Sequence, residues 1–531
     1  MAARCDDIVL PLPVPQSVNG DDDPSKESTV DAFVLDPSSD PTTNEDATTY
    51  QHTLNGNADD NLLGFNTFTW DANSLIADYD HGLGVYAADD QLGWDVAGLG
   101  GEAPLFFSIL DVRIDEMLRV LWATHDDLFR NVASGRPAFD MELAKSVFTS
   151  DNTRQYLSAF LHRCHHEIPV VHRPTFSVET ASTALLLAMV MIGSMFCAPR
   201  DDTFSARRFI GIAEEFIYNQ ELFTRHPRHF QTRAAEAHPE DIQTVQAALI
   251  IAILQSGMND IQTRRRIRVQ RHPQLVAVVR SLDLPSSRHR PSPSWHEFIA
   301  DEVRIRLATY TFLFDAHLTL FLAHPPSMSL AEMTGALPSP STLFEASTPS
   351  DHARLSAAQL AAPPAPLSLS HWVSGLLSET PWPTCPSGPP SAPHLYLALQ
   401  ALQAVAHTAR ATGLGAAGGA FAAVLRAADR WEQLWRRADV DKSPADRSVR
   451  HAFLRHAAES CWLVRTVVRV AQAGGRAEGG GGAYMRCVGT DSYADVHGFI
   501  ERYGRFPRDA VKVPQRTLRI EKQRSTCFEF P

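Results

Sequence analysis

Five potential metal ligands fall close together in the chain: His162, Cys164, His165, His166 and His172. On a helix, His162 and His166 share one face, which is the spacing of a zinc pair, and His172 is a third ligand for a metal-dependent enzyme. A structural or catalytic zinc needs three or four converging ligands, and no second set at finger-like spacing follows. The opposing reading places these imidazoles at a helix end, where they satisfy terminal carbonyls ahead of a turn docked on the core. A second group is the basic run Arg264, Arg265, Arg266, Arg268 and Arg271 in TRRRIRVQRH. It reads either as a nuclear-import or phosphate-contacting patch or as a solvated helix face. Arg502 to Arg524 carries the same ambiguity, and neither run has the interleaved aromatics of a nucleic-acid groove. Gly413, Gly415 and Gly418 fit a dinucleotide fingerprint, but the preceding residues read as helix, so a helix-to-helix loop is expected. No phosphate loop, nucleophile elbow or His-Glu-x-x-His pair occurs, which argues against an enzyme.

These residues have to be held by helices. Ile109, Leu110, Ile114, Leu118, Leu121 and Trp122 recur at three- and four-residue spacing, so an amphipathic helix begins at Pro104. Asp151 and Asn152 are expected to cap a second helix running to about Glu167, after which Pro169 and Pro174 enforce an extended connection. Residues 181–198 and 242–259 are uncharged and close to membrane length. Their Ser, Thr, Gln and Asn content and lack of aromatic belts make them core helices of a helical domain. Trp295 to Ala323 is a long helical pattern ended by Pro325 and Pro326, with Glu302 and Arg306 placed for an i,i+4 pair. Nothing alternates as strands do, so the fold class is all-α. Residues 346–395, rich in Pro, Ser and Ala, read as a linker or insertion, and residues 396–531 as a C-terminal helical part.

The 531 residues carry a net charge of −13, and its distribution is uneven. Residues 1–104 hold 20 acidic and two basic groups, whereas the rest holds 41 and 46. An acidic, disordered N-terminal segment therefore precedes a near-neutral body. Its isolated aromatics, among them Phe65, Phe68, Trp70 and Trp94, suit an activation segment that a coactivator groove buries, or simply a solubilising tail. The seven cysteines are odd in number and never closer than 26 residues, as in reduced intracellular chains, and no N-glycosylation acceptor or signal peptide is present.

Residues 105–345 resemble the fungal-specific transcription factor domain, the middle homology region of fungal zinc-cluster and zinc-finger activators. The likeness is carried by FLHRCHHEIPVVHRPTF at Phe160–Phe176 with His172, Arg173, Pro174 and Phe176, by LLLAMVMIG at Leu185–Gly193, and by TVQAALIIAI at Thr244–Ile253. It continues through Trp295, Ile299, Glu302, Asp315, Pro325 and Pro326 to the Leu-Pro-x-Pro of Leu337–Pro340. The resemblance implies a large helical regulatory domain without a catalytic site. Asp315, in a mostly apolar helix, calls for a cationic partner, with Arg304 and Arg306 as candidates. Members of this family usually bind DNA through a zinc module, yet Cys5, His52 and His81 are the only Cys and His residues of the first 104, so no zinc is expected there. The expectation is a nuclear regulator of a metabolic or secondary-metabolite gene set, without a membrane span. Residues 1–104 would contact coactivators or the transcription machinery, and a DNA-binding partner would supply sequence recognition unless a zinc-coding part lies upstream. The alternatives are a helical adaptor or repressor that sequesters a related activator, and the metal-dependent enzyme built on His162, His166 and His172.

Overall fold

In the computed structural model, helices begin where the apolar period does. The structure describes residues 103–130, 137–197, 200–224, 238–258, 260–360, 368–380, 391–413, 415, 418–440, 454, 456–473 and 482–503. All but two residues of the acidic segment, and nearly all of Arg502–Arg524, lie outside this set. The main helices are α1 (Ala103–Leu128), α2 (Met141–Val147), α3 (Ser150–Ala159), α4 (Thr183–Met195), α5 (Asp201–Tyr218), α6 (Pro239–Gly257), α7 (Ile261–Arg266), α8 (His272–Ser281) and α9 (Trp295–Leu322). They are followed by α10 (Pro349–Leu360), α11 (Leu369–Leu377), α12 (Ala392–Ala411), α13 (Ala420–Val440), α14 (Ala457–Gln472) and α15 (Ala494–Tyr503). Among the described residues there is no strand, so the all-α expectation holds.

The two near-membrane-length segments are α4 and α6, and they pack on each other at the centre of the core. Every residue from Ala184 to Met195 is buried, which is why α4 is apolar all round. No helix among the described residues is long and apolar enough to cross a membrane. Ser182 caps α4 by accepting from the Leu185 N–H at 3.2 Å. Around this pair lie α3, α5 and α1, the last packed on α3, α4 and α5. A second layer joins α9 to α12, on which α13 and α14 pack.

Gly193 sets the approach of α3 to α4. A Cβ added there would stand 2.0 Å from the Tyr156 carbonyl oxygen, a backbone atom that cannot rotate away. Gly193→Ala is therefore expected to cost about 2 kcal/mol or more in urea unfolding, because α3 and α4 must separate. A loss within about 0.5 kcal/mol would show that the contact is dispensable.

Several local expectations need correcting. The second helix is capped by Thr149, which accepts from the Asn152 N–H at 3.2 Å, rather than by Asp151 or Asn152. It passes at Phe160–Cys164 into a π-helical turn. Helix α9, by contrast, runs as expected from Trp295, where a Ser294–Glu297 capping box starts it, to its C-cap ahead of the prolines, Ala323, whose φ of 48° is left-handed. Residues 346–395 are not linker throughout: α11 buries Leu369, Trp372, Val373 and Leu376 in the main core. An apolar i, i+3, i+4, i+7 set outweighs the prolines on either side. The Gly413–Gly418 match lies between α12 and α13, as a helix-to-helix connection should.

Candidate functional site

The signature residues meet where the Ile168–Phe176 segment, α9 and residues 337–345 come together. Glu302 is fully buried, and Arg306, one turn on, donates to it from Nε at 2.7 Å as the i,i+4 spacing predicts. The same carboxylate accepts from the Ser339 backbone N–H at 2.8 Å, and its other oxygen lies 2.9 Å from His289 Nε2. Burial alone would raise the Glu302 carboxyl, but Arg306 and His289 outweigh it and hold it below the ordinary carboxylate range. The Arg306 guanidinium also donates to the carbonyls of Ser339 at 2.8 Å and Pro169 at 3.4 Å, and lies 4.0 Å from the Phe344 ring centroid. One arginine thus ties together the three segments that carry the motif.

His172 packs edge-on against Phe344 and Trp295 and hydrogen-bonds Thr175 Oγ1 through Nδ1 at 2.8 Å. Arg173 donates to Glu345 at 2.7 Å, Pro174 lies in a single 3-10 turn, and Phe176 is buried behind it. The helical Gln246 donates from Nε2 to the Val170 carbonyl at 2.6 Å, satisfying a backbone group that the proline-broken segment leaves without a helical partner.

Asp315 does not pair with Arg304 or Arg306. Its partner is His272, at 2.7 Å, with the backbone N–H groups of Ser327 and Met328 at 3.0 and 2.9 Å. Burial would raise this carboxyl too, yet His272 and the two N–H groups keep it low. Those N–H groups follow Pro325 and Pro326, so the prolines shape the turn that brings donors back onto α9. Each of these carboxylates is committed to fixed donors, so the arrangement holds geometry and offers no carboxyl to a substrate.

The histidine cluster is dispersed. The π turn adds a residue to the helix and breaks the i,i+4 register, and the His165 N–H bonds back to the Phe160 carbonyl at 2.8 Å. His162 is exposed on the Ser158 carbonyl, His166 pairs with Glu167, and the buried His165 donates to the Val171 carbonyl. Among the described residues no three His, Cys, Asp or Glu side chains converge as a metal site requires.

The arginine run is likewise not a free surface patch. It too contains a π turn, Ile267–Arg271. Arg266 donates to Glu214 at 2.9 and 2.8 Å, and Arg271 to the same carboxylate at 2.8 Å and to Glu215. Arg268 pairs with Asp491, while Arg264 is buried, donates to the Asp491 and Met258 carbonyls, and lies over the Tyr493 ring. Of the five, Arg265 alone is exposed.

A cleft that sequence reasoning missed opens beside this framework. It spans about 570 Å³, open solvent at its mouth included. Helix α9 supplies Tyr310, Leu313, Phe314, His317 and Phe321, spaced so that they share a face. Helix α6 adds Ile253 and Ser256, α12 adds Tyr396 and Gln400 one turn apart, and the turn after the π helix adds Glu167 and Ile168. Burial drives the His317 imidazole down to about 3, so it is neutral, and lifts the Tyr310 phenol to about 12. No signal in the sequence marks these residues, because they come from four segments and are mostly apolar.

Residues 157–387 match the fungal specific transcription factor domain. The match extends past the 345 expected from the motifs and takes in α11. The chain is 30% identical over 208 residues to Transcription factor verF of Penicillium polonicum, covering 38% of this chain and 28% of that protein. It is 21% identical over 201 residues to Zinc finger protein zas1 of Schizosaccharomyces pombe, covering 36% of this chain and 21% of that one. The chain therefore spans less than a third of the length of either relative. No solved structure matches it.

Proposed function

We propose that this chain, which carries a fungal specific transcription factor domain over residues 157–387, is a nuclear regulator of transcription. The domain match is the observation that carries the proposal, and it is supported by the way Arg306 ties Glu302 to the Pro169 and Ser339 backbones, so that three motif segments are joined into one helical framework. Residues 1–104, with 20 acidic groups and isolated aromatics, contact coactivators or the transcription machinery. The same residues hold no zinc-module spacing, and sequence recognition comes from a DNA-binding partner or from a zinc-coding part upstream of residue 1. The regulated genes form a metabolic set, such as one for secondary-metabolite biosynthesis. Nuclear entry is not assigned to Arg264–Arg271, whose guanidiniums are mostly held by carboxylates and carbonyls within the fold.

Chromatin immunoprecipitation of the tagged full chain, with transcript profiling of a deletion strain, tests this. Discrete promoter peaks are expected, at clustered metabolic genes whose transcripts change on deletion. Absence of promoter enrichment, with a fluorescent fusion excluded from the nucleus, would sink the proposal and favour cytoplasmic sequestration of a related activator.

A further inference from the structure

The cleft between α6, α9 and α12 contains polar atoms that nothing among the described residues satisfies. Ser256 and Gln400 are each only 3% exposed, and both line it. Among the described residues, neither the Ser256 Oγ nor the Gln400 Nε2 has a hydrogen-bond partner. A buried polar atom left unpaired costs free energy, so two of them lining one cleft call for a partner from outside the fold. Apart from Glu167 and His317, the remaining wall is apolar and aromatic, as in the lining of small-molecule sites. Glu167 is the carboxylate of the wall and no arginine or lysine among the described residues lines the cleft, so an anion would face a carboxylate with no cationic side chain in the lining.

We infer that this cleft is a binding site for an uncharged, flat, largely apolar small molecule bearing a carbonyl or hydroxyl oxygen. The oxygen accepts from Gln400 Nε2, Ser256 Oγ offers a second hydrogen bond, and the ring system lies against Tyr310, Leu313 and Phe314. The site is built from α9, the same helix that carries Glu302, Arg306 and Asp315, so an occupant bears directly on the element that organises the domain. Its occupancy is read on purified chain without DNA, and stands or falls separately from the transcriptional role.

Nile red, a neutral, planar, carbonyl-bearing fluorophore, is the probe, and anionic anilinonaphthalene sulfonate the comparison. Saturable Nile red binding at one site per chain is expected, with the sulfonate at least about tenfold weaker. Gln400→Leu keeps the shape and removes the donor, and should weaken Nile red about tenfold. Leu313→Trp fills the cleft and should abolish binding. Melting curves without dye establish that each variant folds, and if Leu313→Trp does not, Gln400→Leu decides alone. Absence of saturable Nile red binding overturns the inference. So does a normally melting Gln400→Leu variant whose affinity stays within about twofold of the parent, or a sulfonate that binds as well as Nile red.

Discussion

Glu214→Ala is expected to destabilise the domain by about 3–5 kcal/mol, the cost of removing one partner from a buried ionic network. Its side chain is fully buried and receives four bonds: two from Arg266, one from Arg271 at 2.8 Å, and one from Gln255 Nε2 at 2.8 Å. Burial by itself would push the Glu214 carboxyl up, but the two guanidiniums outweigh that and hold it well below the usual range. Truncation takes both carboxylate bonds from Arg266, leaves Arg271 with Glu215, and strips the buried Gln255 amide of its acceptor. The exposed pair Lys145–Glu142, with side chains 58% and 89% exposed, is the control, and Glu142→Ala should change stability by less than about 0.5 kcal/mol. Urea unfolding of both variants at pH 7 measures the difference. A Glu214→Ala loss below about 1 kcal/mol would mean that the two arginines are solvated and that the run is the surface patch its composition suggests.

That network also shows which features the sequence discloses. Helices α4, α6 and α9 are legible because their periodicity and length are local properties, and the Glu302–Arg306 pair because i,i+4 is a helical distance. The arginine run misleads because its partner Glu214 lies more than fifty residues upstream on another helix. A cluster of like charges looks solvated until the opposing carboxylate is known. The π turns at Phe160–Cys164 and Ile267–Arg271 have no residue signature, yet each rotates the following side chains off the expected face. Asp315 shows the same limit in its choice of partner. The need for a counter-group follows from its apolar helix, but His272 is brought to it by tertiary packing, while the nearer Arg306 is taken by Glu302. The cleft is the least legible feature, since four separated segments build it and its two unpaired polar atoms acquire meaning only when buried together.

Acidification is expected to undo the fold before the carboxylates titrate. Burial drives the imidazoles of His165 and His317 down to about 3, and those of His172, His324 and His407 down to about 4. In the unfolded chain each returns to about 6.5. Between those values the unfolded state binds more protons than the native state, so stability is full above about pH 6.5 and falls as pH drops toward 4. Over that window unfolding takes up roughly one proton per buried imidazole, so the loss should be steep. Glu214, Glu302 and Asp315 act in the same direction over a lower window. Their folded values are depressed, so their contribution is present above the ordinary carboxylate range and disappears as pH falls through the depressed ones. Thermal melts from pH 7.5 to 4.5 should show the melting temperature falling from about pH 6.5 downward. The His407→Gln variant retains a donor for the Ala323 carbonyl, which His407 Nε2 meets at 3.2 Å, but cannot titrate. Its unfolding should therefore take up about one proton fewer in this window, leaving a shallower slope with little change at pH 7.5. A melting temperature constant down to pH 5, or equal slopes for parent and variant, would mean that these imidazoles exchange protons freely with solvent.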